Sequence, residues 1–294
     1  MRAAISSLMF VFLCSVTACA QDMNGNHHHN APAAATTPDS TETQEWAKQR
    51  LAKSPRHQEW VKVKNGTREV NSFVVYPENK NKATAVIVIH EIFGMSDWVQ
   101  SLTDQLAEAG YVAIAPDLLS GMGPNGGGTS SLDRNGVGQA IRDLPPDQIT
   151  ADLNAVADYI SKVPASNGKV VVTGYCWGGS QSFRYATNNP KLKAAFVFYG
   201  SAPAAADGTP DKSALAKIAP PIYAFYAGND ARINATVPKT VEVMAELKKT
   251  FDPVTYEGAG HGFMRAGEAP DANEANKKAR DEAWARWKKI LAGI

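Results

Sequence analysis

The stretch "VVVTGYCWGGSQ" at residues 170–181 decides how the chain is read. Val170, Val171, Val172 and Thr173 are β-branched and suit a strand buried on both faces. The run stops at Gly174, and glycines return at 178 and 179, which marks a turn without room for side chains. Cys176 sits between them. A lone cysteine is ordinarily a small buried hydrophobe. The turn therefore either packs a filler or presents a sulfur, and the rest of the chain has to decide.

Outward from this stretch, apolar runs alternate with amphipathic ones. "ATAVIVIHE" (83–91), "YVAIAPD" (111–117), "KVVVTG" (169–174), "AAFVFYG" (194–200), "IYAFYAG" (222–228) and "PVTYEGAG" (253–260) read as buried strands. Helical periodicity separates them. It begins near Ser96 with Val99, Leu102, Leu106 and Ala109 on one face, and recurs over 150–163, after Cys176 and over 237–250. A closing helix near 271–291 aligns Ala279, Ala283, Trp287 and Ile290. Two more extended segments, 59–66 and 70–77, precede this alternation and read as antiparallel strands at one edge. The pattern predicts an α/β fold, a mainly parallel central sheet with helices on both faces, in a single domain over 46–294.

In such sheets functional groups gather just beyond the carboxyl ends of strands. Cys176, Asp230 in "YAGNDAR" and His261 in "GAGHGFMR" each stand one loop beyond a strand. G-x-C-x-G between strand and helix is the nucleophile elbow with cysteine in place of serine, and nucleophile, acid, histidine is the α/β-hydrolase chain order. An imidazole oriented by a carboxylate handles the nucleophile's proton. The N–H of Trp177, next after the nucleophile, is placed to hold an oxyanion. A neighbouring imidazolium is expected to lower the thiol pKa. Taken singly, Asp230 reads as a turn residue or helix cap, and His90, penultimate in its strand, as a satisfied core residue. It is the joint pattern that points to catalysis.

The N-terminus is of another kind. Arg2, the apolar stretch from Ala3 to Leu13 and "VTAC" at 16–19 read as a secretory signal over residues 1–18. "VTAC" has the form of a lipobox, which makes Cys19 the lipidated first residue; cleavage at Ala18 or Ala20 with Cys19 incidental is the alternative. Residues 19–45, rich in Asn, Ala, Thr and Pro, read as a disordered tether. His27, His28 and His29 within it read as a solvated run, since consecutive residues do not converge on one ion. Of the three cysteines, Cys14 and Cys19 belong to the signal, so Cys176 is alone in the body. An exported domain with one thiol has no internal disulfide partner for it.

Thirty basic against twenty-nine acidic residues leave a formal charge of +1, which does not suggest a nucleic-acid surface, and the sequence shows no basic stripe interleaved with aromatics. No apolar run reaches the ~20 residues that span a bilayer.

The body from about 60 to 290 resembles the dienelactone hydrolase family of α/β-hydrolases. "IHEIFG" (89–94), "GYVAIAPDL" (110–118), "NGKVVVTGYCWGG" (167–179), "AGND" (227–230) and "AGHGFMR" (259–265) carry the resemblance in order. It implies Cys176 as nucleophile, His261 as base and Asp230 as its orienting acid. It implies Glu91 as the carboxylate that receives the thiol proton when substrate arrives, and the N–H groups of Ile92 and Trp177 as the oxyanion hole. Arg265 would hold the substrate's carboxylate, and a guanidinium near the histidine suits an anion independently of the family. One departure stands out. A second arginine of the family's best-known enzymes is missing from "PDLLSGMGPNGGGTSS" (116–131), leaving Arg134 or Arg142 as replacements. With five glycines between 121 and 128, residues 119–146 read as a flexible lid.

The expectation is an exported, lipid-anchored, monomeric hydrolase, periplasmic or on a bacterial membrane. It acts on a small ester or lactone through a Cys-His-Asp triad and a thioacyl-enzyme intermediate, with no metal, cofactor or nucleic acid. The rivals are a general carboxylesterase or thioesterase without preference for a carboxylate-bearing substrate, and a non-catalytic ligand-binding lipoprotein.

Overall fold

A computed structural model describes residues 44–79 and 81–294. The expected signal peptide, Cys19 and nearly all of the tether lie outside the described residues.

Eight strands form one sheet in the order β1-β2-β4-β3-β5-β6-β7-β8. These are β1 Gln58–Asn65, β2 Arg68–Val75, β3 Ala83–Ile89, β4 Val112–Pro116, β5 Ser166–Tyr175, β6 Ala195–Phe198, β7 Ile222–Ala227 and β8 Phe251–Tyr256. The hairpin β1–β2 is antiparallel and joins β4 antiparallel, while every pair from β4 through β3 to β8 is parallel. All seven residues of β3 and all five of β4 are buried. Both faces of these strands are covered, which is why their sequences are continuous apolar runs without alternation.

The helices are α1 Glu45–Ala52, α2 Asp97–Glu108, α3 Arg134–Asp143, α4 Pro146–Lys162, α5 Trp177–Asn188, α6 Lys212–Leu215, α7 Ala231–Asn234, α8 Val237–Glu246, α9 Phe263–Ala266 and α10 Glu274–Leu291. Side chains alternate across the sheet into two cores. Ala85, Ile87 and Ile89 of β3 pack with Leu153 and Val156 of α4, Phe183 of α5 and Met244 of α8. Val86 and Val88 face the other way, toward Trp98 and Leu102 of α2 and Trp287 of α10. Ser96 caps α2, its hydroxyl accepting from the Val99 N–H at 3.4 Å.

Two features depart from expectation. The folded body begins at α1, whose first residue, Glu45, falls within the expected tether; the Gln44 side chain accepts from the Trp98 N–H at 2.6 Å. This helix buries only Ala47, so it leaves almost no periodic signal in sequence. The glycine-rich lid, expected to be flexible, is built. Asp117 accepts from the Thr129 N–H at 2.8 Å, the Thr129 hydroxyl at 2.7 Å and the Leu119 N–H at 3.1 Å. Beyond it, Asp133 caps α3 through the Gly136 N–H at 2.6 Å. The glycines let the chain close around the Asp117 carboxylate, and the lid then runs as helix.

Trp287 is fully buried, with ring centroids of Trp284, Phe198 and Phe196 at 5.1, 5.4 and 5.8 Å. Trp287→Ala is expected to cost about 3–5 kcal/mol. A urea titration reads this as a lower midpoint at unchanged slope.

Candidate active site

The turn from β5 to α5 presents Cys176. Its backbone has φ 57° and ψ −118°, a conformation that costs a non-glycine residue energy and persists only where packing enforces it. The enforcement is visible on both sides. A Cβ on Gly174 would fall 2.0 Å from the Gly178 carbonyl oxygen, and one on Gly178 would fall 2.3 Å from that of His90. The turn is thus pressed against the end of β3, and the loop after β3 is brought to the sulfur.

That loop supplies Glu91, Ile92 and Phe93. The backbone N–H groups of Trp177 and Ile92 lie near enough to the Cys176 sulfur to favour its ionised form. Burial and the Glu91 carboxylate oppose them more strongly, and the thiol is pushed up to about 11. This reverses the expected lowering. The sulfur lies beside an anion in a sheltered turn, not in an imidazolium ion pair. Exposed Arg232, just past Asp230, is the cation that acts on the sulfur in the opposite sense.

Asp230 and His261 meet as the chain order implies. His261 Nδ1 donates to Asp230 Oδ2 at 2.5 Å, while Asp230 Oδ1 accepts from the Ile233 N–H at 3.3 Å. Asp230 is buried and His261 is partly open. With Nδ1 engaged, Nε2 is the nitrogen left for chemistry. Among the described residues no hydrogen bond joins Cys176 Sγ to His261, so the thiol is not linked to the Asp–His pair in this structure.

Arg265 is not held open for a ligand. It is 9% exposed, and its Nε donates to Glu91 Oε2 at 2.9 Å, where Glu91 is 2% exposed. The guanidinium also lies over the Phe93 ring at 5.2 Å. Arg134 and Arg142 stand on α3 and line a cavity of about 600 Å³ beside Ile92 and Phe93.

Three neighbours were not anticipated as parts of the site. Tyr199, directly after β6, has φ 42° and sets its ring edge-on to His261 at 5.1 Å. Its hydroxyl is buried without a partner among the described residues. Position beyond a strand end was the available signal. Thr129 ties the lid to the Glu91 loop, its hydroxyl accepting from the Met95 N–H at 3.1 Å while donating to Asp117. His90 is only half satisfied: Nδ1 bonds the Glu91 carbonyl at 2.8 Å, Nε2 is buried without a partner, and the ring stacks on Trp177 at 5.4 Å. Burial pushes its pKa down, so the imidazole against Trp177 is neutral. No group of three or more His, Cys, Asp or Glu side chains converges as a metal site among the described residues.

A model of the dienelactone hydrolase family matches residues 70–294. The chain belongs to the dienelactone hydrolase family. A protein of Saccharolobus solfataricus with a provisional carboxymethylenebutenolidase name is 30% identical over 258 residues, covering 77% of this chain and 95% of that one. An Escherichia coli K12 protein of the same name is 31% identical over 222 residues, covering 71% and 77%. The crystal structure of a Klebsiella pneumoniae protein, described provisionally as a dienelactone hydrolase, superposes with TM-score 0.70 at 25% identity over 81% of this chain and 99% of that one. The fold is that of the α/β-hydrolases, and the chain is a dienelactone hydrolase-like carboxylic ester hydrolase.

Two outcomes are expected from this geometry. Iodoacetamide alkylation of Cys176 in the resting enzyme, located by peptide mass, rises about tenfold per pH unit between 7 and 9, since the thiolate fraction grows that steeply below the pKa. A rate that levels off near pH 8 would contradict the raised thiol. Arg265→Met strands a buried carboxylate and costs about 3–5 kcal/mol. Adding Glu91→Gln recovers part of that loss in the same denaturation experiment.

Proposed function

We propose that the protein is an exported, lipid-anchored hydrolase that opens a small ester or lactone through a thioacyl-enzyme on Cys176. The observation that carries this reading is the convergence of the Ile92 and Trp177 N–H groups on the Cys176 sulfur, the place where a carbonyl oxygen gains charge when sulfur adds to its carbon. The buried Glu91–Arg265 pair supports the choice of base. An anionic group of the substrate competes for Arg265, and the carboxylate it releases accepts the Sγ proton. The thiolate then adds to the carbonyl carbon, the oxyanion rests on the two N–H groups, and the C–O bond breaks as its oxygen takes the proton back from Glu91. Water attacks the thioester with its proton passing to His261 Nε2, held in orientation by Asp230. That proton returns to sulfur as the acid leaves. A thiol kept neutral until substrate arrives suits a compartment where free thiolates oxidise.

Export and the anchor rest on residues 1–19 of the sequence, with Cys19 as the lipidated residue. The chain works as a monomer without a resident metal or organic cofactor, and its membrane contact is the anchor alone.

Replacing Cys176 with alanine in the intact protein is expected to lower turnover of p-nitrophenyl acetate and a cis-dienelactone by on the order of 10³-fold or more. Undiminished turnover of both would remove the nucleophile from Cys176.

A further inference from the structure

Ile92 supplies one of the two N–H groups beside the Cys176 sulfur, but its side chain does not hold that group in place. Ile92 is 42% exposed and Phe93 is half-buried, so the tip of their turn is held by what happens at its ends. The turn runs from Glu91 to Gly94 and is closed by the Gly94 N–H, which donates to the Glu91 carbonyl at 3.2 Å. Gly94 takes φ 69° to make that closure. His90 Nδ1 donates to the same carbonyl at 2.8 Å and fixes the end next to β3.

Thr129, from the lid segment, holds the other end. Its hydroxyl accepts from the Met95 N–H at 3.1 Å, and a Cβ on Gly94 would overlap its hydroxyl and methyl groups. The hydroxyl is free to accept because its own proton goes to Asp117 Oδ1 at 2.7 Å. Asp117 Oδ2 accepts from the Thr129 N–H at 2.8 Å, so residue 129 is tied to the end of β4 twice. An ionised carboxylate can only accept, which sets the direction of both bonds at the hydroxyl.

The remaining anchor is the bond from Arg265 to the Glu91 carboxylate. That bond is the one given up when a substrate anion takes Arg265 and Glu91 turns to the thiol. We infer that Thr129 is a positioning residue for ester cleavage, holding the Ile92 N–H at the oxyanion site while Glu91 exchanges Arg265 for the Sγ proton. This role rests on the thioester chemistry proposed for Cys176. Without the hydroxyl, the Met95 N–H and the Asp117 carboxylate each lose a partner, and the turn relaxes to find others. A small displacement of the Ile92 N–H weakens its bond to an oxyanion more than to a neutral carbonyl. Thioester formation and thioester hydrolysis both pass through an oxyanion there, so kcat falls whichever step limits it.

Thr129→Val keeps the shape of the side chain and removes the hydroxyl. In hydrolysis of p-nitrophenyl acetate and a cis-dienelactone it is expected to lower kcat about tenfold or more, with KM changed by less than about threefold. A carboxylate-bearing trifluoromethyl ketone reads the same site without turnover. Sγ adds to its carbonyl carbon, the thiol proton passes to Glu91, and the ketone oxygen becomes the oxyanion. Its inhibition constant is expected to rise by the factor by which kcat/KM falls. Thr129→Ser keeps the hydroxyl and is expected to return both quantities to within about threefold of the unaltered enzyme. Should valine prevent folding, Thr129→Ala, which only removes atoms, is measured in the same way. A lower urea midpoint with kcat and inhibition constant both within about twofold of the unaltered enzyme would leave Thr129 a lid anchor and overturn the role. A serine variant as impaired as the valine one would overturn it too. Failure of the underlying chemistry shows separately, as undiminished turnover of Cys176→Ala.

Discussion

The close approach of the β5–α5 turn to the end of β3 is the constraint on which the site depends. Gly174 and Gly178 have no space for a Cβ, because backbone carbonyls occupy it. That contact holds Cys176 at positive φ and brings the Ile92 N–H to the same sulfur that the Trp177 N–H reaches. The two donors come from segments about eighty residues apart in the chain, at Ile92 and Trp177. Neither loop would hold its N–H there alone. The parallel pairing of β3 with β5 supplies the alignment, and the absence of side chains at the glycines supplies the distance.

Charge is arranged around this turn so that the resting sulfur stays a thiol. Glu91 is close enough to disfavour the thiolate, yet it is itself compensated by Arg265 in a pair from which water is nearly excluded. A buried ion pair contributes little net stability compared with an apolar pair of the same volume, while removing one partner is costly. Little net stability is therefore expected from the pair, and the proton-accepting role proposed for Glu91 does not require any. The Asp230–His261 pair stands apart from it, with His261 partly open to the cleft. Two buried or half-buried ion pairs, Glu91–Arg265 and Asp230–His261, are thus built into the strand-end loops, and the first of them acts on the sulfur.

The lid shows how much of a site can be set by segments without catalytic groups. Asp117, at the end of β4, gathers three donors from the chain that follows, and Thr129 passes that order on to the Glu91 loop through the Met95 N–H. The same segment then delivers α3, whose Ile141 and Arg142 line a pocket together with Ile92 and Trp177. In sequence these residues look like a glycine-rich loop, because hydrogen bonds from side chain to backbone leave no periodic pattern.

The sequence alone determined the strand–helix alternation, the elbow around Cys176, and the order in which Asp230 and His261 follow it. Those features are local: strand burial, turn sterics and position past a strand end are written in consecutive residues. Family membership also followed from short blocks such as "IHEIFG" and "AGHGFMR". Only the tertiary structure decided that Arg265 is held by Glu91, that the thiol is raised rather than lowered, and that the lid is a capped helix anchored on Asp117. It also placed Tyr199 against His261 and Thr129 against the Glu91 loop. Each of these depends on the distance between groups far apart in the chain, and on how much water lies between them. Burial and Coulomb interaction are properties of that spacing, which the order of residues does not specify.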